Sequence, residues 1–245
     1  MNHRFLFFIA ALLSATCACS FPDLSSVLPQ SLAGSGNVIT MEETISDFDS
    51  VDISSSFDVR IMQGEAYQVV IWVDDNLVDH LQVRKQGSTL EIGLKPGISL
   101  VTNATLQAEV SMPDLTVIKL SGASDAKISG FKSSQSLTVD LSGSSSLRGD
   151  IEAGDTTFGV SGSSDANLTG TGGNLKLDAS GSSDVDLSGF PVSDADLNIS
   201  GASSVSVNPG GILDVKASGA SDVIYLGNPI LGNINTSGSS RVEAK

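Results

Sequence analysis

Large and chemically versatile side chains are scarce in this sequence. Aromatic residues make up 5% of it and charged residues 17%, with a single Trp, two Tyr, two His and two Cys among 245 residues. A conventional globular core draws on more bulk than this, so the fold must be held together another way. Beyond position 19 there is no cysteine, and His80 is the only histidine left after the first few residues. Cys/His metal sites therefore cannot be assembled, and a Ser-His-Asp arrangement would have to use His80, which lies in Val78-Asp79-His80-Leu81 without a nucleophile-elbow pattern and reads as an ordinary surface residue.

Basic residues are few as well. Thirteen Lys and Arg face 28 Asp and Glu, a formal net charge of -15 that repels nucleic-acid backbones and anionic lipid headgroups. Lys119, Lys127, Lys176 and Lys216 sit at differing offsets from the nearest repeat serine, so no basic groove is expected. Long apolar runs are also absent: Phe5 to Leu13 follows Arg4 and is too short to span a bilayer. Followed by small residues, it has the layout of a secretory signal over residues 1–18.

Cys17 and Cys19 stand two residues apart, where a disulfide would close a very strained ring. Ser14-Ala15-Thr16-Cys17-Ala18-Cys19 resembles a bacterial lipoprotein processing site, with Cys19, preceded by Ala18, as the lipidated residue and Ser20 compatible with outer-membrane sorting. Residues 19–37, with Pro22, Pro29 and Gly34-Ser35-Gly36, read as a flexible tether, which makes the membrane the first expected partner, through the lipid.

What is abundant is small and periodic. A Ser-Gly-[Ala/Ser]-Ser unit begins at Ser121, Ser142, Ser161, Ser180, Ser200, Ser218 and Ser237, at spacings of 21, 19, 19, 20, 18 and 19 residues. Apolar residues alternate on both sides of each unit, as in Leu175, Leu177 and Ala179 before Ser180 and Val185 and Leu187 after it. That is strand periodicity. One such turn cannot bury its apolar face alone, so copies must stack in parallel register as a β-solenoid of about seven regular coils over 115–245.

Gly122, Gly143, Gly162, Gly181, Gly201, Gly219 and Gly238 are expected at the corner for backbone geometry. Ser124, Ser145, Ser164, Ser183, Ser203, Ser221 and Ser240 are expected to satisfy corner backbone groups with their hydroxyls.

Residues 38–114 are less regular. Val51, Ile53, Phe57, Val59 and Ile61 reproduce the repeat phase around Ser54-Ser55-Ser56 without its glycine, a degenerate first coil. Further strands are expected at 68–73, 81–83, 89–94 and 105–112, linked by Asp74-Asp75-Asn76 and Lys95-Pro96-Gly97 turns.

Four repeats place aspartate at the same position, Asp125, Asp165, Asp184 and Asp222. A calcium ladder competes there with turn capping; the repeat is about twice the length of the calcium-binding nonapeptide, which favours capping. Trp72, within Val69-Val70-Ile71-Trp72-Val73, reads as core packing rather than as a sugar-stacking platform with Tyr67. Ice binding would call for regular threonine rows, and threonines here are sporadic.

Phe48-Asp49-Ser50-Val51-Asp52-Ile53, Phe57-Asp58-Val59-Arg60-Ile61-Met62-Gln63-Gly64, the Asp74-Asp75-Asn76-Leu77 turn and the Ser-Gly-Ser-Ser-Asp units together resemble the head GIN domain family of bacterial autotransporter adhesins, over about Val38 to Ala244. The resemblance implies a right-handed β-solenoid, an envelope location and an adhesive role, and it offers no catalytic residues. The repeats run to Lys245 without a translocator barrel, so tethering is expected through the lipid. The expectation is a non-catalytic module without cofactor or metal that binds glycans or envelope or matrix proteins. A polysaccharide-active β-helix enzyme and a passive scaffold are the alternatives.

Overall fold

The structure, a computed structural model, describes residues 30–101 and 104–245. The signal segment and the processing site at Cys17 and Cys19 lie outside the described residues.

The irregular N-terminal part contributes β1 (Gln30–Leu32), β2 (Val38–Glu43), β3 (Ser50–Ile53), β4 (Asp58–Gln63) and β5 (Gln68–Asp74). A 3-10 turn at Asp75–His80 leads into β6 (Leu81–Gln86), β7 (Thr89–Leu94), β8 (Ile98–Leu100) and β9 (Leu106–Met112). The regular part then supplies strands in pairs, one before and one after each Ser-Gly corner: β10 (Val117–Leu120) and β11 (Asp125–Lys132), β12 (Leu137–Leu141) and β13 (Ser146–Glu152), β14 (Thr156–Val160) and β15 (Asp165–Thr171), β16 (Leu175–Ala179) and β17 (Asp184–Val192). The series continues with β18 (Ala195–Ile199) and β19 (Ser204–Pro209), β20 (Ile212–Ala217) and β21 (Asp222–Tyr225), and β22 (Ile230–Thr236) and β23 (Arg241–Ala244).

Stacking of the pairs produces a flattened two-sheet β-solenoid. The strand before each corner joins a ten-stranded sheet and the strand after it an eleven-stranded sheet, all in parallel register through the regular part. Equivalent residues lie one above another, as in Ile118, Val139, Phe158, Leu177 and Leu197, each almost fully buried on the inner face. The alternation in the sequence decides this face, because successive strand residues point to opposite sides. The corners do not interrupt the ladder: Ser144 donates its backbone N–H to the Gly122 carbonyl at 2.7 Å, Ser163 to Gly143 at 2.8 Å and Ser182 to Gly162 at 2.8 Å. Backbone groups leaving the sheets are thereby satisfied by the neighbouring coil.

The degenerate first coil is β3 and β4, and its place in the stack differs from its place in the chain. Strand β3 pairs with β10 on one side and β7 on the other, while β4 pairs with β11 and β9. The chain builds this coil, passes outward through antiparallel β5 and the β6–β7 hairpin, completes a further coil beneath with β7 and β9, and returns over the first coil to begin the regular stack. Antiparallel β2 and β6 close the N-terminal edges of the two sheets. Without a glycine, the first-coil corner still enters the left-handed region, at Ser55 (φ 66) and Ser56 (φ 70).

The segment expected as a flexible tether to residue 37 is held against the fold where it enters the described residues. Strand β1 pairs in parallel with β8. Asp74, fully buried, accepts the Gly36 N–H at 2.8 Å and the Thr105 N–H at 2.7 Å. Asp75 accepts the Ser35 hydroxyl at 2.6 Å and the Asn37 side-chain amide at 2.7 Å, and Asn76 donates to the Ala33 carbonyl at 2.9 Å. The folded unit therefore starts before Val38, because the donors of residues 35–37 match the acceptors of the Asp-Asp-Asn turn.

Asp74→Ala is expected to cost about 2 kcal/mol, since it strips two part-buried N–H groups of a carboxylate acceptor, and to expose the Gly36 and Thr105 amides to hydrogen exchange. The Ser35 hydroxyl and then the Asn37 amide hold the Asp75 carboxyl below the usual carboxylate range. Its contribution to the clamp is accordingly full above that range and fades as pH falls through the lowered value. In acid, residues 33–37 should exchange before the coils do.

Candidate functional site

Each corner is built from two residues of the repeat unit. The seven Ser-Gly glycines, Gly122, Gly143, Gly162, Gly181, Gly201, Gly219 and Gly238, take φ between 72 and 84. Two residues on, Ser124, Ser145, Ser164, Ser183, Ser203 and Ser221 are buried, and each donates its hydroxyl to the carbonyl of the serine three residues earlier at 2.6–3.1 Å. Ser240 in the last coil instead accepts the Ser221 N–H at 3.3 Å. The serines stack; six of the seven hydroxyls close their own corners, and those of Ser164 and Ser240 accept an N–H from the neighbouring coil at 3.3 Å.

A second corner, at the opposite edge, was not anticipated. Gly154 donates its N–H to the Gln135 carbonyl at 2.8 Å and Gly173 to Gly154 at 2.7 Å. Beside them Asn174 N–H bonds the Asp155 carboxylate at 2.8 Å and Ile212 N–H that of Asp194 at 2.7 Å. The signal was present as Gly154-Asp155 and Gly173-Asn174, one repeat length apart, a turn pairing easily passed over beside the more frequent Ser-Gly unit.

Between the corners lie two flat outer faces, and register turns each into columns of side chains about 4.8 Å apart. On the ten-stranded sheet one column runs Glu91, Asp52, Lys119, Asp140, Gly159, Asp178 and Asn198. Gly159 leaves a gap in it, opening a groove of about 540 Å³ with Asp140 and Asp178 on either side and Ser142, Ser161 and Ser180 along its edge. Asn198 donates to Asp178 at 2.9 Å. Burial raises the Asp52 carboxyl above its ordinary value, with Lys119 opposing and Glu91 reinforcing the shift.

On the eleven-stranded sheet the first outer column runs Trp72, Gln107, Asp58, Asp125, Ser146, Asp165 and Asp184. The second runs Glu109, Arg60, Lys127, Arg148, Asn167 and Asp186. Two expectations are corrected on this face. Lys127 stacks between Arg60 and Arg148 at one repeat offset, so a basic column does exist; counting lysines alone concealed it. Trp72 is half-buried on the outer face beside Thr40 and Gln107, outside the core cluster, because Val69, Ile71 and Val73 take the inward positions of β5. Tyr67 does not join it, its ring lying 4.9 Å from Phe48.

The aspartates do not cap their turns either. Asp125, Asp165 and Asp184 open their strands and project outward, and among the described residues their carboxylates accept no protein hydrogen bond, whereas Asp222 meets Arg241 at 3.1 Å. Burial, then Asp165 and Asp186, raises the Asp184 carboxyl. Among the described residues no three His, Cys, Asp or Glu side chains converge as a metal-ligand set. His80 ends the 3-10 turn, its carbonyl accepting the Lys95 N–H at 2.8 Å. No helix among the described residues is long and apolar enough to cross a membrane.

Residues 47–229 match the sequence model of the family described as "Putative auto-transporter adhesin, head GIN domain". A search of curated proteins found no match. Among solved structures, the chain is similar to an adhesin-named protein of Bacteroides fragilis, at TM-score 0.80 and 18% identity over 87% of this chain and 100% of that one. It is similar also to a protein of Parabacteroides distasonis named as lipid binding, at TM-score 0.72 and 20% identity over 88% and 100% of the two chains. An adhesin-named protein of Parabacteroides merdae aligns at TM-score 0.67 and 20% identity over 88% and 99%. These likenesses establish a shared fold.

Proposed function

This chain belongs to the head GIN domain family of adhesins, and on that premise we propose that it is a non-catalytic binding module, anchored in the bacterial envelope by lipid on Cys19, that holds an extended ligand against its flat faces. One observation carries the reading: register brings the outward, mostly polar side chains of successive coils into line, so each face offers columns of polar contacts instead of one pocket. Such a surface suits a long polymer or a broad protein face better than a single bond to be cleaved. The clamp at Asp74-Asp75-Asn76 receives the chain arriving from the anchor. It would fix the capped end toward the membrane and direct the regular coils outward.

Two treatments of intact cells test this. Cys19→Ser should move the protein from the membrane fraction to the soluble one, and protease added outside should remove the wild-type protein and abolish attachment of the cells to glycan- or matrix-coated surfaces. Survival of the protein under external protease, or unchanged attachment after its removal, would refute the adhesive role.

A further inference from the structure

The outer face of the eleven-stranded sheet has three features that structural duty does not account for. The first is the column Arg60, Lys127, Arg148. These side chains are exposed on successive rungs, and none enters the ion pairs within 4.0 Å found among the described residues, which join Arg84 to Glu91, Lys132 to Glu152 and Arg241 to Asp222. Like charges in register on neighbouring strands repel, and here they stand about 4.8 Å apart.

The second is Ser146, which lies between Asp125 and Asp165 in the adjacent column and two residues before Arg148 on the same strand face. It is 7% exposed, and its hydroxyl is the one buried side-chain polar atom among the described residues without a hydrogen-bond partner. A buried hydroxyl left without a partner is costly. The third is Trp72, the only tryptophan of the chain, held at the capped end of that same column with its ring outside the core.

We propose that this face is a binding track for a linear acidic polysaccharide, a glycan bearing uronate carboxylates, laid along the solenoid axis. Arg60, Lys127 and Arg148 pair with carboxylates of successive sugars, Asp58 and Asp125 accept hydrogen bonds from sugar hydroxyls, and Trp72 stacks against a pyranose ring. The rung spacing is comparable to the length of one pyranose unit in an extended chain, so each sugar meets one coil. The carboxylates beside the cations select the ligand class: a polyphosphate has no hydroxyl donors along its length and meets Asp58, Asp125 and Asp165 with repulsion alone, whereas a uronate polymer offers those carboxylates hydroxyl donors between its own charges. The proposal rests on the reading of this chain as a binding module and names its ligand.

The full chain in detergent, titrated with polygalacturonate at low ionic strength and followed by the fluorescence of its single tryptophan, provides the test. A saturable change that weakens with added salt is expected. In the triple variant Arg60→Gln, Lys127→Gln, Arg148→Gln the affinity should fall by about tenfold, the combined effect of three solvent-exposed charge contacts. Fully methyl-esterified polygalacturonate should bind the wild type correspondingly more weakly, and Lys176→Gln on the opposite sheet should bind as the wild type does. Calorimetry on Trp72→Ala should show weakened binding of both polymers.

No titration by the wild type, equal affinity in the triple variant, or polyphosphate binding as tightly as polygalacturonate would overturn the track. If the triple variant loses polygalacturonate while cells carrying it still attach, the track stands and is not the attachment site. If polygalacturonate never binds yet attachment depends on the protein, the track falls and the adhesive role stands.

Discussion

Gly162→Ala should destabilise the regular coils by about 3 kcal/mol or more, through two effects that add at one atom. Gly162 sits at φ 79, where a side chain costs about 1–2 kcal/mol. A Cβ there would also meet the Gly143 carbonyl oxygen of the coil below at 2.3 Å and its nitrogen at 3.1 Å, which is backbone that no rotamer change can clear. Relief requires the corner to lift off its neighbour, and the next residue, Ser163, donates to that same carbonyl at 2.8 Å. Since each coil leans only on its neighbours, the damage should open the stack locally rather than shift one cooperative transition, and urea unfolding should broaden as its midpoint falls.

Gly87→Ala separates the two effects. Gly87 has φ 62 but nothing within 4 Å of an added Cβ, so only the backbone term of about 1–2 kcal/mol remains. Equal losses at the two positions would mean that close approach between coils contributes nothing.

The same corners explain how much of this molecule could be read in advance. A seven-fold recurrence of Ser-Gly with strand alternation on both sides left few architectures open, because a corner that must repeat at a fixed spacing can be satisfied only by stacking. The N-terminal part carried less information. Ser54-Ser55-Ser56 marked a first coil, but nothing in the local pattern of β7 and β9 told that they complete a coil beneath it, since that order depends on pairings between strands distant in the chain.

Outward residues were the least legible for a related reason. Arg60, Lys127 and Arg148 become one column only when coil register is known, and Arg60 belongs to a coil without the Ser-Gly mark. Trp72 misled because four apolar neighbours made its strand look buried throughout, whereas the parity of β5 turns alternate residues outward. The extent of the tether misled similarly: its Gly-Ser composition suggested mobility, while its hydrogen-bonding groups had partners in a turn some forty residues away.

Phe158→Ala should cost about 3–5 kcal/mol, near the limit for a single core truncation, because the narrow interior offers little to refill the space. Phe158 is fully buried between Val139 and Leu177 of the adjoining coils, themselves without exposed surface. Across the corner of every regular coil but the last, the residue three before the Ser-Gly serine and the residue five after it are both buried, and where one is largest its partner is small. Phe158 goes with Ala166 and Ile118 with Ala126, whereas Val139 goes with Leu147 and Leu177 with Val185. A flattened coil of fixed thickness needs roughly constant volume between its sheets, so a large residue on one wall calls for a small one on the other.

That relation makes a sharper prediction than the truncation alone. In the Phe158→Ala background, Ala166→Leu should recover about half of the lost stability, whereas in the wild-type background the same substitution should overpack the coil and destabilise it by about 1–3 kcal/mol. Urea midpoints of the four proteins measure the coupling. Additive losses, with Ala166→Leu harmful in both backgrounds, would show that the two positions do not share a space, and that the thickness of the solenoid is set by its corners and not by its filling.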